Sequence, residues 1–427
     1  MSRLKDTALT RRAVIGAATA AAVAASDPAQ AAAADATGSV LLQRLIDTTA
    51  ARFEADLVAL RRDLHAHPEA AGEETRTGAR VAEILTAAGL TVTTGVGGNG
   101  VIGILKGRLP GRTVAYRADM DAVPAQDQIG GGVDTAHLCG HDLHTAIGVG
   151  VAQILARLRH RLSGTVVFVF QPAEENLTGA RAMLADGVLN TGPEEIHALH
   201  CAAMPVGTFG INPGVGLPGQ DRGTIVLTGP GASERAARLA GDVKGLSTVP
   251  LPAGSEDLEA LTEALQTEDG PLARFITAQA WVESETADGA EVGLAYRCWP
   301  EERYIEIRED IAALAAAHGE AVVDFPTDPF PAMIGPETEA HELKRHLRRA
   351  MGPDSAVVLH ASVPFNGEDF ALFLQQIPGT YTYLGVRAPD ADIATSFPHF
   401  GTFEPDESAI GIGVRAMSGW LAERTRC

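Results

Sequence analysis

The chain has 427 residues, too many for one small domain, so two domains are expected. Its 34 Lys and Arg against 54 Asp and Glu give a formal net charge of −20, which argues against nucleic-acid binding because that needs clustered basic residues. A hydrophobic content of 45% with four cysteines is typical of a globular protein, and not of a disordered chain or a disulfide-dense scaffold.

Residues 1–36 have the pattern of an export signal. Basic residues ending in Arg11-Arg12 precede a modest apolar run, and Ala29-Gln30-Ala31 is typical of a cleavage site. Because the run is too short for a membrane span, the sequence predicts a twin-arginine signal peptide over 1–31 and an exported protein without a stable membrane anchor. A disordered Ala-rich tail and an uncleaved anchor are the alternatives. Cleavage would remove four basic and two acidic residues, so the net charge of −20 would become −22.

Beyond the leader, strand-like and helix-like segments alternate. Apolar residues at helical spacing predict a helix over 39–67, and the run GTVVFVF at 164–170 predicts a strand buried on both faces. Alternating strands and helices predict an α/β domain with a mostly parallel sheet flanked by helices. Ligands of such domains bind at the carboxyl ends of the strands.

The pattern changes near Gly219. Strands and a helix of a smaller α+β unit are predicted at 223–227, 275–282, 291–297 and 301–318. Later helices and a strand at 380–384 return the chain to the first domain. We therefore predict a catalytic domain in two parts, 40–220 and 332–427, with an inserted satellite domain at 221–331.

The strongest chemical signal is the octapeptide His137-Leu-Cys-Gly-His-Asp-Leu-His144. Thiolate and imidazole groups both suit zinc. Cys139 and His141 converge only if the backbone turns between them, which the intervening glycine allows. His141 and His144 share a helix face if a helix begins here. The alternative is a surface helix start capped by Asp142.

Further candidates follow predicted strands. Glu174 and Glu175 come directly after the buried strand and cannot both point the same way, so one can bind a metal while the other acts as general base. An exposed acidic helix start is the alternative. Strand ends or loops also carry Asp119, Asp121, His200 and His399. Two divalent ions need about five protein ligands between them. The five candidate metal ligands are Cys139, His141, Glu175, His200 and His399.

These motifs resemble the dinuclear-metal amidohydrolases and metallopeptidases related to aminoacylase and carboxypeptidase. The resemblance is strongest to the branch of hippurate hydrolase, N-acetyldiaminopimelate deacetylase and the plant indole-acetyl-amino-acid hydrolases, and it covers most of 42–221 and 333–424. It is carried by an ordered series: Arg61-Arg-Asp-Leu-His65-x-His-Pro-Glu69, Arg117-Ala-Asp-Met-Asp-Ala-Val-Pro124, Cys139-Gly-His-Asp-x-His144, Gln171-Pro-Ala-Glu-Glu175, His200, Gly367-Glu-Asp-Phe370 and His399.

The resemblance implies a hydrolase of N-acyl amino acids or similar small acylated compounds, in which two divalent ions activate water. Zinc is the first choice of metal, with manganese, cobalt or nickel as alternatives. Glu174 matches the general base, which takes a proton from water and delivers it to the leaving amine. The matching metal ligands are Cys139, His141, Glu175, His200 and His399, and the matching supports are Asp119, Asp121, Asp142 and His144.

The satellite domain departs from this pattern. In relatives it forms a homodimer and helps to bind substrate, which implies a homodimer here. Relatives place a histidine after the first satellite strand, where it polarises the scissile carbonyl across the dimer. Ser233 stands there in this chain and carries no cationic charge. Ser284 replaces a family Asn, whereas Arg297 matches a family arginine, with a surface salt bridge as its alternative role.

Three functions are consistent with these residues. The first is an exported two-metal amidohydrolase that acts on linear amides other than peptide bonds. The second uses the same site as a dipeptidase or carboxypeptidase-type peptidase, and the third is a catalytically impaired metal-binding protein used as a binding module. If Cys139 binds metal, an odd set of cysteines remains, for which the sequence assigns no pairing: Cys201, Cys298 and Cys427.

Overall fold

The structure is a computed structural model that describes residues 28–286 and 288–426, with side chains described from Gly38 onward. The predicted export signal therefore lies almost entirely outside the described residues, as does Cys427. Cys139, Cys201 and Cys298 are buried free thiols. In the described part of the chain, no helix is long and apolar enough to cross a lipid bilayer.

The described residues form helices and strands in alternation. The helices are α1 (Pro28–Ala50), α2 (Glu54–His65), α3 (Thr75–Ala87), α4 (His141–Arg157), α5 (Gly179–Ala185), α6 (Ala232–Lys244), α7 (Ser255–Leu265), α8 (Tyr304–Ala317), α9 (Glu337–Ala350), α10 (Ala371–Leu374) and α11 (Ser408–Arg424). The strands are β1 (Thr91–Val96), β2 (Gly100–Lys106), β3 (Leu109–Asp119), β4 (Ser163–Gln171), β5 (Glu195–Pro205), β6 (Phe209–Ile211), β7 (Gly216–Leu217), β8 (Asp221–Thr228), β9 (Phe275–Glu285), β10 (Gly289–Trp299), β11 (Ala321–Asp324), β12 (Met333–Ile334), β13 (Ala356–Val358) and β14 (Gly379–Arg387).

An eight-stranded sheet forms the centre of the molecule, in the order β1-β2-β4-β3-β5-β14-β6-β13. Its four central strands, β4, β3, β5 and β14, are parallel. Strands β1 and β2 run antiparallel to their neighbours, and β6 runs antiparallel to β14 but parallel to β13. One apolar core joins the sheet to α2, α3, α4 and α11, and a second core lies on the opposite face. The predicted α/β domain with a mostly parallel sheet is confirmed, and its predicted central strand, now β4, is buried on both faces.

A separate four-stranded antiparallel sheet has the order β11-β8-β10-β9. Its own core packs against α6 and α8, which cover one face. The short strands β7 and β12 pair where the chain leaves and re-enters the parallel-sheet region. Helix α7 does not pack on this small sheet, because Leu261 and Leu265 join the second core of the large sheet.

The helix predicted over 39–67 is two helices. Helix α1 ends at Ala50 and α2 begins at Glu54. Before the break, the hydroxyls of Thr48 and Thr49 donate to backbone carbonyls four residues earlier. Such bonds compete with the helical ladder and favour a bend, which spacing of apolar residues alone does not reveal.

Glu195 anchors the C-terminal helix to the start of β5. Its buried carboxylate accepts a hydrogen bond from Arg424 Nε at 2.7 Å and pairs with Arg112 Nη2 at 2.8 Å. Burial alone would raise the pKa of Glu195, but hydrogen bonds from His197 and Arg424 outweigh it and lower the pKa. The ionised carboxylate therefore stabilises the folded chain.

We expect Glu195→Gln to lower the free energy of unfolding at pH 7 by about 2 kcal/mol, since hydrogen bonds to charged groups are lost. Because the folded pKa lies below the unfolded one, this stabilisation is present above about pH 4.3 and fades as the pH falls further. Urea unfolding at pH 7 and pH 3 measures both effects. Glu194→Gln is the control, because Glu194 is exposed and pairs with Arg112 alone. Equal losses in the two variants at pH 7 would contradict the assignment.

Candidate metal centre

The predicted site residues converge at one end of the parallel sheet. Asp119 ends β3, the two glutamates follow β4, and His141 begins α4. Parallel strands bring their carboxyl ends to one edge, so these residues meet although the sequence separates them widely. His200 lies within the adjacent β5, and His399 lies in the loop before α11.

Three histidines present the same ring nitrogen to the centre. In each, Nδ1 lies within hydrogen-bond distance of an oxygen that only accepts, so Nδ1 donates and Nε2 is the ring nitrogen that faces the centre. The partners of Nδ1 are Asp121 Oδ1 for His141 (3.2 Å), the Cys201 carbonyl for His200 (2.8 Å) and the Asp127 carbonyl for His399 (3.2 Å).

The Nε2 atoms lie beside thiol and carboxylate groups. His200 Nε2 is 3.5 Å from Cys139 Sγ, and His399 Nε2 is 3.4 Å from Glu175 Oε2. Ligand atoms of Cys139, His141 and Glu175 lie within 4.8 Å of one another. Among the described residues, His141 Nε2 and Glu175 Oε1 are buried without a hydrogen-bond partner. Buried nitrogen and oxygen atoms without partners, next to a thiol, fit a divalent cation.

His144 is held differently from these three histidines. Its Nδ1 lies 2.7 Å from Asp119 Oδ1, and its Nε2 accepts a hydrogen bond from the Cys201 backbone N–H at 2.8 Å. Both ring nitrogens are therefore engaged, which suits the supporting role that the resemblance implied. Asp119 also approaches the candidate metal ligands directly, because its Oδ2 is 3.7 Å from His141 Nε2.

The loop before α4 turns at Gly140, as the sequence predicted. Gly140 has φ +84°, and a β-carbon added there would lie 2.5 Å from Cys201 Sγ. Asp142 is fully buried and contacts His65 Nδ1 and Arg61 Nε of α2, each at 2.8 Å. Burial raises the pKa of Asp142, but the His65 hydrogen bond and nearby positive charges lower it to about 2. The alternative of a surface helix start is therefore wrong.

Glu174 and Glu175 lie side by side in a strained loop after β4. Ala173 and Leu177 have φ of +54° and +59°, conformations that cost non-glycine residues energy and persist where the surroundings impose them. The Glu175 N–H donates to Asp121 Oδ2 at 2.8 Å. Glu175 thus joins the histidines, while Glu174 lies within 4.8 Å of a different carboxylate pair, Glu368 and Asp369. Both carboxylates still approach His141 Nε2, Glu174 Oε2 at 3.9 Å and Glu175 Oε1 at 3.7 Å, so their separate roles stay a prediction.

Arg117 holds that carboxylate pair in place, a role that sequence reasoning missed. Its guanidinium is 1% exposed and donates to Glu368 Oε1 at 2.9 Å and Asp369 Oδ1 at 3.2 Å. The Tyr381 hydroxyl donates to the other Glu368 oxygen at 2.7 Å. Arg117 and Glu368 stand 251 positions apart, so no local spacing could have joined them.

The surroundings of Glu174 suit a group that accepts and returns a proton. Burial raises its pKa, and the negative charges of Glu368 and Glu175 raise it further, while Arg117 opposes them. A carboxyl with a raised pKa accepts a proton from water more readily than one with an ordinary pKa.

Two other buried residues were not predicted to have a role. Glu74, fully buried before α3, accepts hydrogen bonds from the backbone N–H groups of Gly72 and Ala173, and so supports the strained loop. An acidic residue just before a helix is common because it interacts favourably with the helix N-terminus, so the sequence did not indicate this supporting role.

His137 is also buried. Its ring nitrogens lack partners among the described residues, and burial lowers its pKa to about 4.

The satellite residues are placed unequally. Ser233 lies near the start of α6, and Ser284 on β9 lies 3.4 Å from Glu291; in the described part of the chain, no hydrogen bond joins either serine to the centre. Arg297 does reach it, because a β-carbon added at Gly367, next to Glu368, would lie 2.5 Å from Arg297 Nη1. Within 28–286 and 288–426, no carboxylate forms an ion pair with Arg297, so the predicted surface salt bridge is wrong.

Comparison with known proteins adds the following findings. Residues 115–423 match the family described as Peptidase family M20/M25/M40. N-acetylcysteine deacetylase from Bacillus subtilis is 31% identical over 383 residues, which cover 84% of this chain and 94% of that protein. IAA-amino acid hydrolase ILR1-like 2 from Arabidopsis thaliana is 30% identical over 381 residues, covering 84% of this chain and 83% of the relative. A solved dinuclear metal-binding peptidase of family M20 from Bacillus subtilis has 28% identity and a TM-score of 0.68, and covers 88% of this chain and 99% of its own.

Proposed function

Because the chain belongs to peptidase family M20/M25/M40, we propose that it is a metal-dependent hydrolase that cleaves the amide bond of N-acyl amino acids. The observation that carries this function is the convergence of histidine Nε2 atoms, a buried thiol and Glu175, with Glu174 beside them and free of that set. The names of the relatives, a deacetylase and an amino-acid-conjugate hydrolase, support the same reaction class.

The chain's own residues have distinct tasks in this reaction. Cys139, His141, Glu175, His200 and His399 would hold two divalent ions, for which we propose zinc because thiolate and imidazole donors suit it. Bound there, such ions polarise a carbonyl and lower the pKa of water. Glu174 takes the proton from the attacking water and returns it to the leaving amine nitrogen.

Arg297 supports an amino acid as the leaving half of the substrate. Its guanidinium lies at the centre, and its only hydrogen bond among the described residues is to the Pro218 carbonyl at 3.5 Å. Burial and the charge of Arg222 lower the pKa of Arg297 to about 10, so it stays cationic at pH 7. A half-buried cation with no carboxylate partner among the described residues favours a ligand that brings one, and an N-acyl amino acid does.

We expect Arg297→Met to raise KM for an N-acetyl amino acid at least about tenfold, since a charge-assisted hydrogen bond to the substrate carboxylate is lost. The corresponding N-acetyl amino acid amide, which has no free carboxylate, should be hydrolysed by both proteins with similar kcat/KM. Steady-state kinetics on the two substrates measure the difference. Arg222→Met is the control, because Arg222 is exposed. An equal effect of Arg297→Met on both substrates would contradict carboxylate recognition.

A substrate panel tests the proposed function. Metal-loaded protein is incubated with N-acyl amino acids and with unblocked dipeptides, and the release of free amines is followed. We expect turnover of N-acyl amino acids in preference to dipeptides. Preferential cleavage of dipeptides would replace this function by the peptidase alternative.

A further inference from the structure

Helix α7 lies in the inserted segment and packs outside the small antiparallel sheet. Its buried leucines, Leu258, Leu261 and Leu265, occupy one face of the helix. Leu261 and Leu265 join the second core of the large sheet, and the Leu265 carbonyl accepts a hydrogen bond from the His360 N–H at 2.8 Å. The helix is therefore a fixed contact between the inserted segment and the catalytic region.

The first turns of α7 contact the segment that carries His399. Leu258 is fully buried in a small cluster with Ile393, and Phe397 and Phe400 pack against that cluster. The last two residues flank His399 closely on both sides in the chain. Polar contacts reinforce the apolar ones: Ser255 Oγ lies 2.6 Å from Asp392 Oδ1, and Glu259 pairs with Arg387.

His399 itself has a backbone conformation that needs external support. Its φ is +69°, in the left-handed region that residues with a side chain rarely adopt. On one side the backbone is fixed, because the His399 N–H donates to the Leu138 carbonyl at 2.7 Å and the Ile129 N–H donates to the His399 carbonyl at 2.8 Å. The aromatic residues on either side of His399 pack with the Leu258 cluster. Hydrogen bonds and α7 together surround this segment.

We propose that α7 positions His399 as a metal ligand, and that Leu258 is the positioning residue through which it acts. The proposal rests on the metal centre of the proposed function. Leu258 does not belong to the centre; it packs against the segment that sets the direction of the His399 ring. The inserted segment thereby contributes to the site within one chain.

Metal binding to the apo-protein tests this positioning role without any substrate. Zinc is titrated against a chromophoric chelator for the wild type, Leu258→Ala and the control Leu239→Ala. Leu239 is an equally buried leucine in the core of the small sheet, so its loss reports general destabilisation alone. We expect Leu258→Ala to weaken the binding of one of the two zinc ions at least about tenfold. Losses of this size are typical when a residue that orients a metal ligand is removed. Leu239→Ala should leave both affinities unchanged.

Two further variants complete the test. Leu258→Met restores most of the apolar volume and should recover the wild-type affinity. Leu258→Val is a milder change that serves if the alanine variant does not fold, and it should weaken the same zinc ion to a smaller extent. Wild-type affinity for both ions in a folded Leu258→Ala or Leu258→Val protein would overturn the proposal. A wild type that binds two ions but hydrolyses no amide would instead contradict the proposed function, which separates the two failures.

Discussion

Replacing Glu174 by Gln should lower the rate of amide hydrolysis at least about a hundredfold while both metal ions stay bound. Glutamine keeps the size of the side chain but cannot accept a proton from water or return it to the leaving amine. Glu174 is grouped with Glu368 and Asp369, outside the set of Cys139, His141 and Glu175, so its loss removes no member of that set. The expected change is therefore in kcat, with metal content near that of the wild type.

Glu175→Gln is the matched control for this experiment. It makes the same change at the adjacent residue. Both glutamates approach His141 Nε2, Glu174 at 3.9 Å and Glu175 at 3.7 Å, but Glu175 also lies 3.4 Å from His399 Nε2. We expect this variant to lose metal as well as activity, which elemental analysis of the purified proteins detects. Unchanged turnover in Glu174→Gln, or the same metal loss in both variants, would show that the two roles have been assigned wrongly.

Replacing Arg117 by Met should lower the free energy of unfolding by about 3–5 kcal/mol, the range for removing one partner of a buried ion pair. Arg117 is 1% exposed, and its guanidinium donates to the adjacent carboxylates of Glu368 and Asp369, which lie 251 and 252 positions further along the chain. Without the cation these buried carboxylates repel each other and lose hydrogen bonds. Asp119 loses its pairing with Arg117 as well.

Denaturant unfolding of the metal-free proteins measures this effect apart from any change in metal affinity. Arg62→Met is the control, because Arg62 is exposed and pairs with Glu407 at the surface. Surface pairs contribute little to stability, so the control should unfold near the wild-type midpoint. If Arg117→Met and the control unfold at the same denaturant concentration, the buried ion pairs of Arg117 do not stabilise the fold.

Local sequence pattern was sufficient for the centre of the fold. The β-branched run at 164–170 became β4, and the strand predicted at 380–384 became β14. Buried parallel strands have continuous apolar runs, which is why these were easy to identify. The turn at Gly140 was also predictable, because Cys139 and His141 can approach the same metal only if the backbone turns between them.

Other elements had weaker signals. Strand β1 is largely exposed, and α7 buries only three leucines, so neither has the strong periodicity that identifies an element. The roles of Arg117 and Glu74 depend on partners from distant parts of the chain, and their residue types alone do not indicate burial. The break between α1 and α2 depends on threonine hydroxyls that bond to the backbone, which is a property of the folded helix.

Amide turnover by protein with a known metal content tests the central claim most directly. Apo-protein is loaded with zinc, the bound equivalents are counted, and free amine released from an N-acetyl amino acid is measured in the same sample. We predict two zinc ions per chain and steady release of the amino acid, which ceases when a chelator removes the metal. Two ions bound with no turnover of any amide would contradict the claim and leave the metal-binding module as the function.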